Sequence, residues 1–301
     1  MEQRRLGRTD IDVTRLGVGL AEIGNELTFA EEQEADQVLN FALDGGINFL
    51  DTAACYNISE ELIGRTVSHR RDEYALATKC GHVAGGYQGE AWTAQTVTDS
   101  IDRSLQRMKT DYLDLVQLHS CDLDVLERGD VIEALQRAQQ AGKTRYIGYS
   151  GDNDEAVWAV ESGYFDTLQT SFNLVEQKAR FGLLEAAQAQ DMGVIIKRPI
   201  ANGAWGASAS PSAYAEQYFE RAQQMSAMGP LPNAPENRIE LALAFTLSHD
   251  AVTTAIVGTR NPAHMRANLE MIEREIILEK ETLHELYHRY EEIGEDWPQL
   301  R

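Results

Sequence analysis

Eight short, β-branched apolar runs bounded by turn residues punctuate the chain, beginning near Leu16, Ile47, Ala75, Leu113, Arg145, Thr167, Val194 and Thr253. Their starts are separated by 31, 28, 38, 32, 22, 27 and 59 residues. A strand with its return helix takes about 30 residues, so most gaps hold one such unit and the last holds two. Amphipathic patterns fill the intervals. Ala35, Val38, Leu39, Ala42 and Leu43 share one helical face, with Thr28 and Glu31 as a capping box and Gly45 as the stop. Val97, Ile101, Leu105 and Met108 form a second stripe after Thr93. Runs apolar on both faces, such as Val194-Ile195-Ile196, suit a parallel sheet covered by helices.

An open, doubly wound sheet would share this alternation, but it usually carries a glycine-rich phosphate turn after its first strand. Here that turn reads Gly17-Val18-Gly19-Leu20-Ala21-Glu22, without the glycine spacing such a turn needs. The pattern therefore predicts an α/β fold of the (β/α)8 TIM barrel type, one domain over residues 1–301. Arg5 to Val13 reads as a short β-hairpin that could plug the bottom of the barrel. Ala201 to Asn237 reads as a long loop after strand seven, with one helix inside.

Charge narrows the partners. Forty-eight acidic against 27 basic residues leave a formal net charge of −21, which repels phosphate backbones and anionic lipid, so neither nucleic acid nor membrane is expected as a partner. An anionic ligand must instead meet local cations or helix N-termini. No stretch approaches the roughly 20 apolar residues of a bilayer span. Three cysteines make no even framework, which suits a reducing compartment, and a cytoplasmic location is expected.

In such a barrel, chemistry sits where strands end. Asp51 ends the second run, Tyr56 follows it, Lys79 ends the third and His119 the fourth. An ammonium beside a phenol lowers the phenol's pKa toward the working pH, making it a general acid for a carbonyl oxygen that gains charge on reduction. A histidine can donate a hydrogen bond to that oxygen. Each residue alone is as readily structural; together all four occupy ends of consecutive strands, where such a barrel builds its sites.

The segments Gly46-Ile47-Asn48-Phe49-Leu50-Asp51-Thr52-Ala53-Ala54-Cys55-Tyr56, Ala77-Thr78-Lys79 and Asp111-Tyr112-Leu113-Asp114-Leu115-Val116-Gln117-Leu118-His119 resemble the signatures of the aldo-keto reductases. The resemblance runs from Leu6 to Asn268. It implies hydride transfer between a nicotinamide cofactor and a small-molecule carbonyl, with Tyr56 as general acid, Lys79 tuning it, Asp51 partnering Lys79 and His119 orienting the carbonyl. It further implies cofactor contacts at Gly19, Leu20, Ser150, Gln169, Lys197, Arg198, Gly258, Thr259, Arg260, His264 and Asn268.

The chain departs from the family's pattern at several of these positions. Gly151 stands where the family usually has asparagine, a place Asn153 could fill, and Lys197 stands where an aromatic residue stacks on the nicotinamide. Arg198 could stack in its stead or meet the pyrophosphate. Gly258 and His264 replace frequent cations, which leaves Arg260 as the main contact for a 2′-phosphate. NADPH is the expected cofactor, with NADH possible.

Cys55, Cys80 and Cys121, each close to a catalytic candidate, are expected to ring the mouth. Packing, thiol-based redox inhibition and zinc are the readings open to them; their spacing does not demand a metal and none is expected. Oxidation of a sugar hydroxyl and an NADPH-binding regulatory subunit, resembling potassium-channel β-subunits, are the alternatives to carbonyl reduction. Substrate choice would rest on Tyr87, Trp92, the loop His82 to Gly89 and the excursion after Asn202.

Overall fold

A computed structural model of the protein describes residues 1–274 and 278–300. A two-stranded antiparallel hairpin, β1 (Gln3–Arg5) and β2 (Asp12–Thr14), precedes eight strands: β3 (Leu16–Gly19), β4 (Phe49–Asp51), β5 (Ala75–Cys80), β6 (Leu113–His119), β7 (Thr144–Ser150), β8 (Thr167–Ser171), β9 (Gly193–Lys197) and β10 (Thr254–Gly258). These eight close into a parallel barrel in chain order, with β10 pairing β3. The predicted barrel and hairpin are both present, and the excursion after β9 carries the helix Glu216–Ser226.

The period of two along each strand sorts its side chains. Leu50, Leu76, Val116, Leu118, Ile147, Leu168, Val194 and Ile196 face outward into a core shared with the surrounding helices. Phe49, Ala75, Ala77, Leu115, Ile195 and Ile256 form a separate apolar cluster inside the barrel, joined by Leu6, Ile11 and Val13 of the hairpin. The hairpin thus plugs the end where the strands begin. Gly7 makes its turn possible: φ is +55°, and a Cβ there would lie 2.2 Å from the Gly193 nitrogen.

That inward parity continues up the strands into polar residues. Phe49 is followed two positions on by Asp51, Ala77 by Lys79, Leu115 by Gln117 and then His119, and Ile195 by Lys197. Register brings them level, with Gly19 opposite Asp51, Lys79 opposite Gln117, His119 opposite Ser150, and Ser150 opposite Gln169. Apolar filling below and polar groups above come from one alternation. Among the described residues no helix is long and apolar enough to cross a membrane.

Candidate active site

Lys79 Nζ lies 2.5 Å from Asp51 Oδ2 and donates to the Thr52 carbonyl at 2.9 Å, with both charged side chains buried. The other carboxylate oxygen of Asp51 accepts from Gln169 Nε2 at 2.8 Å and Gln117 Nε2 at 3.3 Å. Ser150 Oγ in turn donates to Gln169 Oε1 at 2.9 Å. A hydrogen-bonded chain therefore runs from Ser150 through Gln169 and Asp51 to Lys79 across the floor of the opening, and a buried network of this kind holds its members in place.

Tyr56 and His119 stand at the rim of this floor. The Tyr56 ring centroid is 5.1 Å from Lys79 Nζ and 5.6 Å from the His119 ring, which it meets edge-on. A close approach holds the Tyr56 loop: a Cβ on Gly24 would come within 2.2 Å of the Tyr56 carbonyl oxygen. The four catalytic candidates thus share one opening.

Their electrostatics differ from the sequence expectation in one respect. Burial pushes the Tyr56 phenol above its ordinary value, outweighing the opposing pull of Lys79. The phenol is therefore protonated at neutral pH rather than poised near it. Burial likewise depresses His119 well below the imidazole range, helped by Lys79 and His82, so its ring is neutral and has one N–H to donate. In the unfolded chain the same imidazole takes a proton below pH ~6.5. The native ring does not, so stability is expected to fall as pH drops from that value, more shallowly in a His119→Gln variant. Chemical denaturation of both proteins at a series of pH values measures this.

The candidate cofactor residues form an arc along the rim from β7 to β3. Ser150 ends β7 and Lys197 ends β9, Gln169 lies beside Ser150 within β8, and Gly258 pairs with Gly19 where β10 meets β3. A Cβ on Gly258 would sit 3.1 Å from the Gly19 carbonyl oxygen, so two facing glycines keep this stretch of rim open. Thr259 is buried and accepts from the Asn261 N–H at 3.1 Å, at the start of the helix Pro262–Glu273. His264 lies 3.5 Å from the Thr259 hydroxyl, and Asn268 is buried on the same helix. Leu20 is fully buried, its N–H donating to the Asp51 carbonyl, so only its backbone belongs to the rim. Hydroxyl, amide and cationic donors followed by a helix N-terminus suit a long anionic ligand, and a nicotinamide cofactor fits this donor set.

A family model of the aldo/keto reductases matches residues 15–286. This chain belongs to the aldo/keto reductase family. Among curated relatives it is 27% identical to an L-galactose dehydrogenase of Arabidopsis thaliana, the match covering 99% of this chain and 97% of the relative. A D-threo-aldose 1-dehydrogenase of Pseudomonas is also 27% identical, over 88% of this chain and 91% of the relative. Among solved structures, the holo form of an aldo-keto reductase from Bacillus halodurans superimposes with a TM-score of 0.80 at 25% identity, covering 96% of each chain. Membership makes this aldo/keto reductase an NAD(P)H-dependent oxidoreductase.

Where this reductase departs from its family's sequence pattern, the structure supplies partners that sequence reading missed. Lys197 ion-pairs with Asp152 at 2.8 Å, and Asp152 also accepts from Thr170 Oγ1, the Ser171 N–H and Gln299 Nε2. Arg198, at φ +57°, donates to the Leu300 carbonyl at 2.8 Å and to the Tyr214 hydroxyl. The guanidinium is thus braced by the C-terminal tail and the excursion. Asn153 is tied through its N–H to Gln299. Gln117 was legible in principle, since it shares the inward parity of His119 two residues on; Asp152 carried no such signal.

The cysteines do not all ring the mouth. Cys80 alternates with inward-facing Lys79 and packs into the outer core, where Cys121 also lies. Both thiols are pushed up by burial, Cys121 to about 12. Cys55 alone is half-buried at the rim, and burial raises its thiol too, against the pull of Lys79. A redox role resting on a Lys79-acidified thiol loses its physical basis.

Proposed function

We propose that the protein reduces an aldehyde or ketone to the alcohol, with Tyr56 delivering the proton. The observation that carries this reading is the convergence of Tyr56, His119 and the buried Lys79–Asp51 pair on one opening. A bound nicotinamide supplies the hydride. Tyr56 holds the proton and gives it to the carbonyl oxygen; the Lys79 ammonium stabilises the tyrosinate left behind. Asp51 keeps Lys79 charged and oriented, and the neutral His119 ring donates a hydrogen bond to the same oxygen. Ser150 and Gln169 would hold the carboxamide, with Arg198 and the N-terminus of the helix Pro262–Glu273 holding the phosphates.

The cofactor we propose is NADPH, with Arg260 meeting the 2′-phosphate. Arg260 pairs with Glu26 at 2.9 Å and lies 3.9 Å from Glu34. Burial, then the Glu26 charge, pushes the nearby Glu22 carboxyl up. These carboxylates compete with a phosphate for one guanidinium. A Glu26→Gln variant is therefore expected to bind NADPH roughly fivefold more tightly, an exposed pair contributing about 1 kcal/mol, and NADH unchanged. Fluorescence titration of both cofactors reads this directly; equal gains for both would remove Arg260 from the 2′-phosphate.

Loss of reduced-nicotinamide absorbance across a panel of aromatic, aliphatic and sugar carbonyls tests the main reading. Turnover supports it. Tight cofactor binding with no turnover on any carbonyl, in either direction, would overturn it in favour of a cofactor-binding regulatory protein. The names of the two aldose dehydrogenases among the relatives favour a second reading, oxidation of a sugar hydroxyl at the same site. Oxidised cofactor with a panel of aldoses tests that direction.

A further inference from the structure

Three residues that sequence reading never grouped meet at the mouth. Cys55 lies in the loop after β4, His82 in the loop after β5 and His119 at the end of β6, so three neighbouring strands each contribute one side chain. One potential ligand atom from each lies within 4.8 Å of the other two. Cys55 Sγ is already 3.3 Å from His119 Nδ1, and the two imidazole centroids are 4.9 Å apart. The Trp92 ring, packed against Gly81 and meeting His82 edge-on at 4.9 Å, fixes the orientation of that imidazole.

From this geometry we infer that Cys55, His82 and His119 form a binding site for a thiophilic divalent cation such as Zn²⁺, and that its occupancy shuts the carbonyl site. One thiol and two imidazoles are the ligand types that such ions select over the harder Mg²⁺ and Ca²⁺. Metal–ligand bonds of about 2.0–2.3 Å put tetrahedral ligands roughly 3.3–3.8 Å apart, so the observed spacing closes with side-chain shifts of about 1 Å. All three side chains are half-buried rather than locked in the core, which leaves room for those shifts. Three protein ligands leave the fourth position open toward the mouth, beside Tyr56.

Binding releases the Cys55 proton to solvent and places one thiolate on the dication. The residual positive charge is tolerated because Asp51 neutralises Lys79 and the protein as a whole carries −21. Inhibition follows from what the ion takes: one nitrogen of His119, and the space beside Tyr56 that a carbonyl oxygen needs. This second half of the inference rests on the proposed reduction; the binding half does not.

Titrating the full-length, metal-stripped protein with Co²⁺ tests the binding half. One equivalent is expected to produce a saturable near-ultraviolet thiolate-to-cobalt band, displaced by Zn²⁺. Cys55→Ser should abolish the band, and His82→Phe should keep it while weakening Zn²⁺ at least tenfold, since even outer partners of a ligand are worth 10–100-fold. Circular dichroism confirms that both variants fold. Absence of a saturable band in the wild type, or its survival in Cys55→Ser, would overturn the site. For the second half, Zn²⁺ is expected to raise KM for the carbonyl in the wild type and far less in His82→Phe, each protein being compared with its own metal-free KM. Stoichiometric binding with unaltered KM would refute the shutting, and a protein inert toward every carbonyl would fail the proposed reduction while leaving the cobalt titration decisive.

Discussion

A Tyr56→Phe variant is expected to lose about 10²–10⁴ in kcat while binding the cofactor as the wild type does, because general acid catalysis contributes on that order and nothing else within reach replaces the phenol. The candidates near Tyr56 are poor substitutes. Lys79 is committed to Asp51 and the Thr52 carbonyl. His119 is held neutral by burial, so its one proton serves as a hydrogen-bond donor and not as an acid at neutral pH. The ring of the variant still meets His119 edge-on, so packing is retained and the loss is chemical. Cofactor affinity from fluorescence quenching, set beside kcat, separates the two effects. A variant with near-normal kcat would remove Tyr56 from the proton path.

The second large effect is on stability as well as rate. Asp51→Asn leaves the Lys79 ammonium buried with neutral carbonyl oxygens as its acceptors and no anion to answer its charge, and breaking one side of a buried pair costs about 3–5 kcal/mol. The midpoint of thermal unfolding should fall by roughly 10 °C. Turnover should fall on the order of a hundredfold, since Lys79 and both glutamines that donate to Asp51 lose the anion that positions them. Removing both charges, in Asp51→Leu with Lys79→Met, should recover much of the stability and none of the turnover. Calorimetry and steady-state kinetics on the three proteins check this. An Asp51→Asn protein as stable as wild type would show that the pair is not charged in the fold.

Much of the architecture was legible because it depends on neighbours in sequence. The strand-plus-helix spacing, the alternation within Leu113 to His119 and the capping residues Thr28 and Thr93 are local patterns, and each element forms where its pattern lies. The plug was legible for the same reason, as a turn between two short extended runs. Strand-end position then marked Asp51, Lys79 and His119, which parity turns inward at the same end of the barrel, and Tyr56 in the loop that follows Asp51.

Which charged groups met was another matter. Lys197 read as the occupant of a stacking ring's place, with Arg198 beside it as the stand-in, yet the Lys197 ammonium answers Asp152 just beyond the end of a different strand. Arg260 read as a free cation for phosphate, yet it lies among carboxylates more than 200 residues away in sequence. The three cysteines read as a ring, yet one residue of alternation turns Cys80 outward while Cys55 meets two histidines instead.

The chain's own order of residues therefore determined the barrel, the end at which polar side chains gather and the four catalytic candidates that meet there, because periodicity and strand-end position act over a few residues. Only the tertiary structure decided the protonation of Tyr56, the partners of Lys197, Arg198 and Arg260, and the meeting of Cys55, His82 and His119. Desolvation and ion pairing depend on what closes over a group from distant parts of the chain, and no local pattern records that.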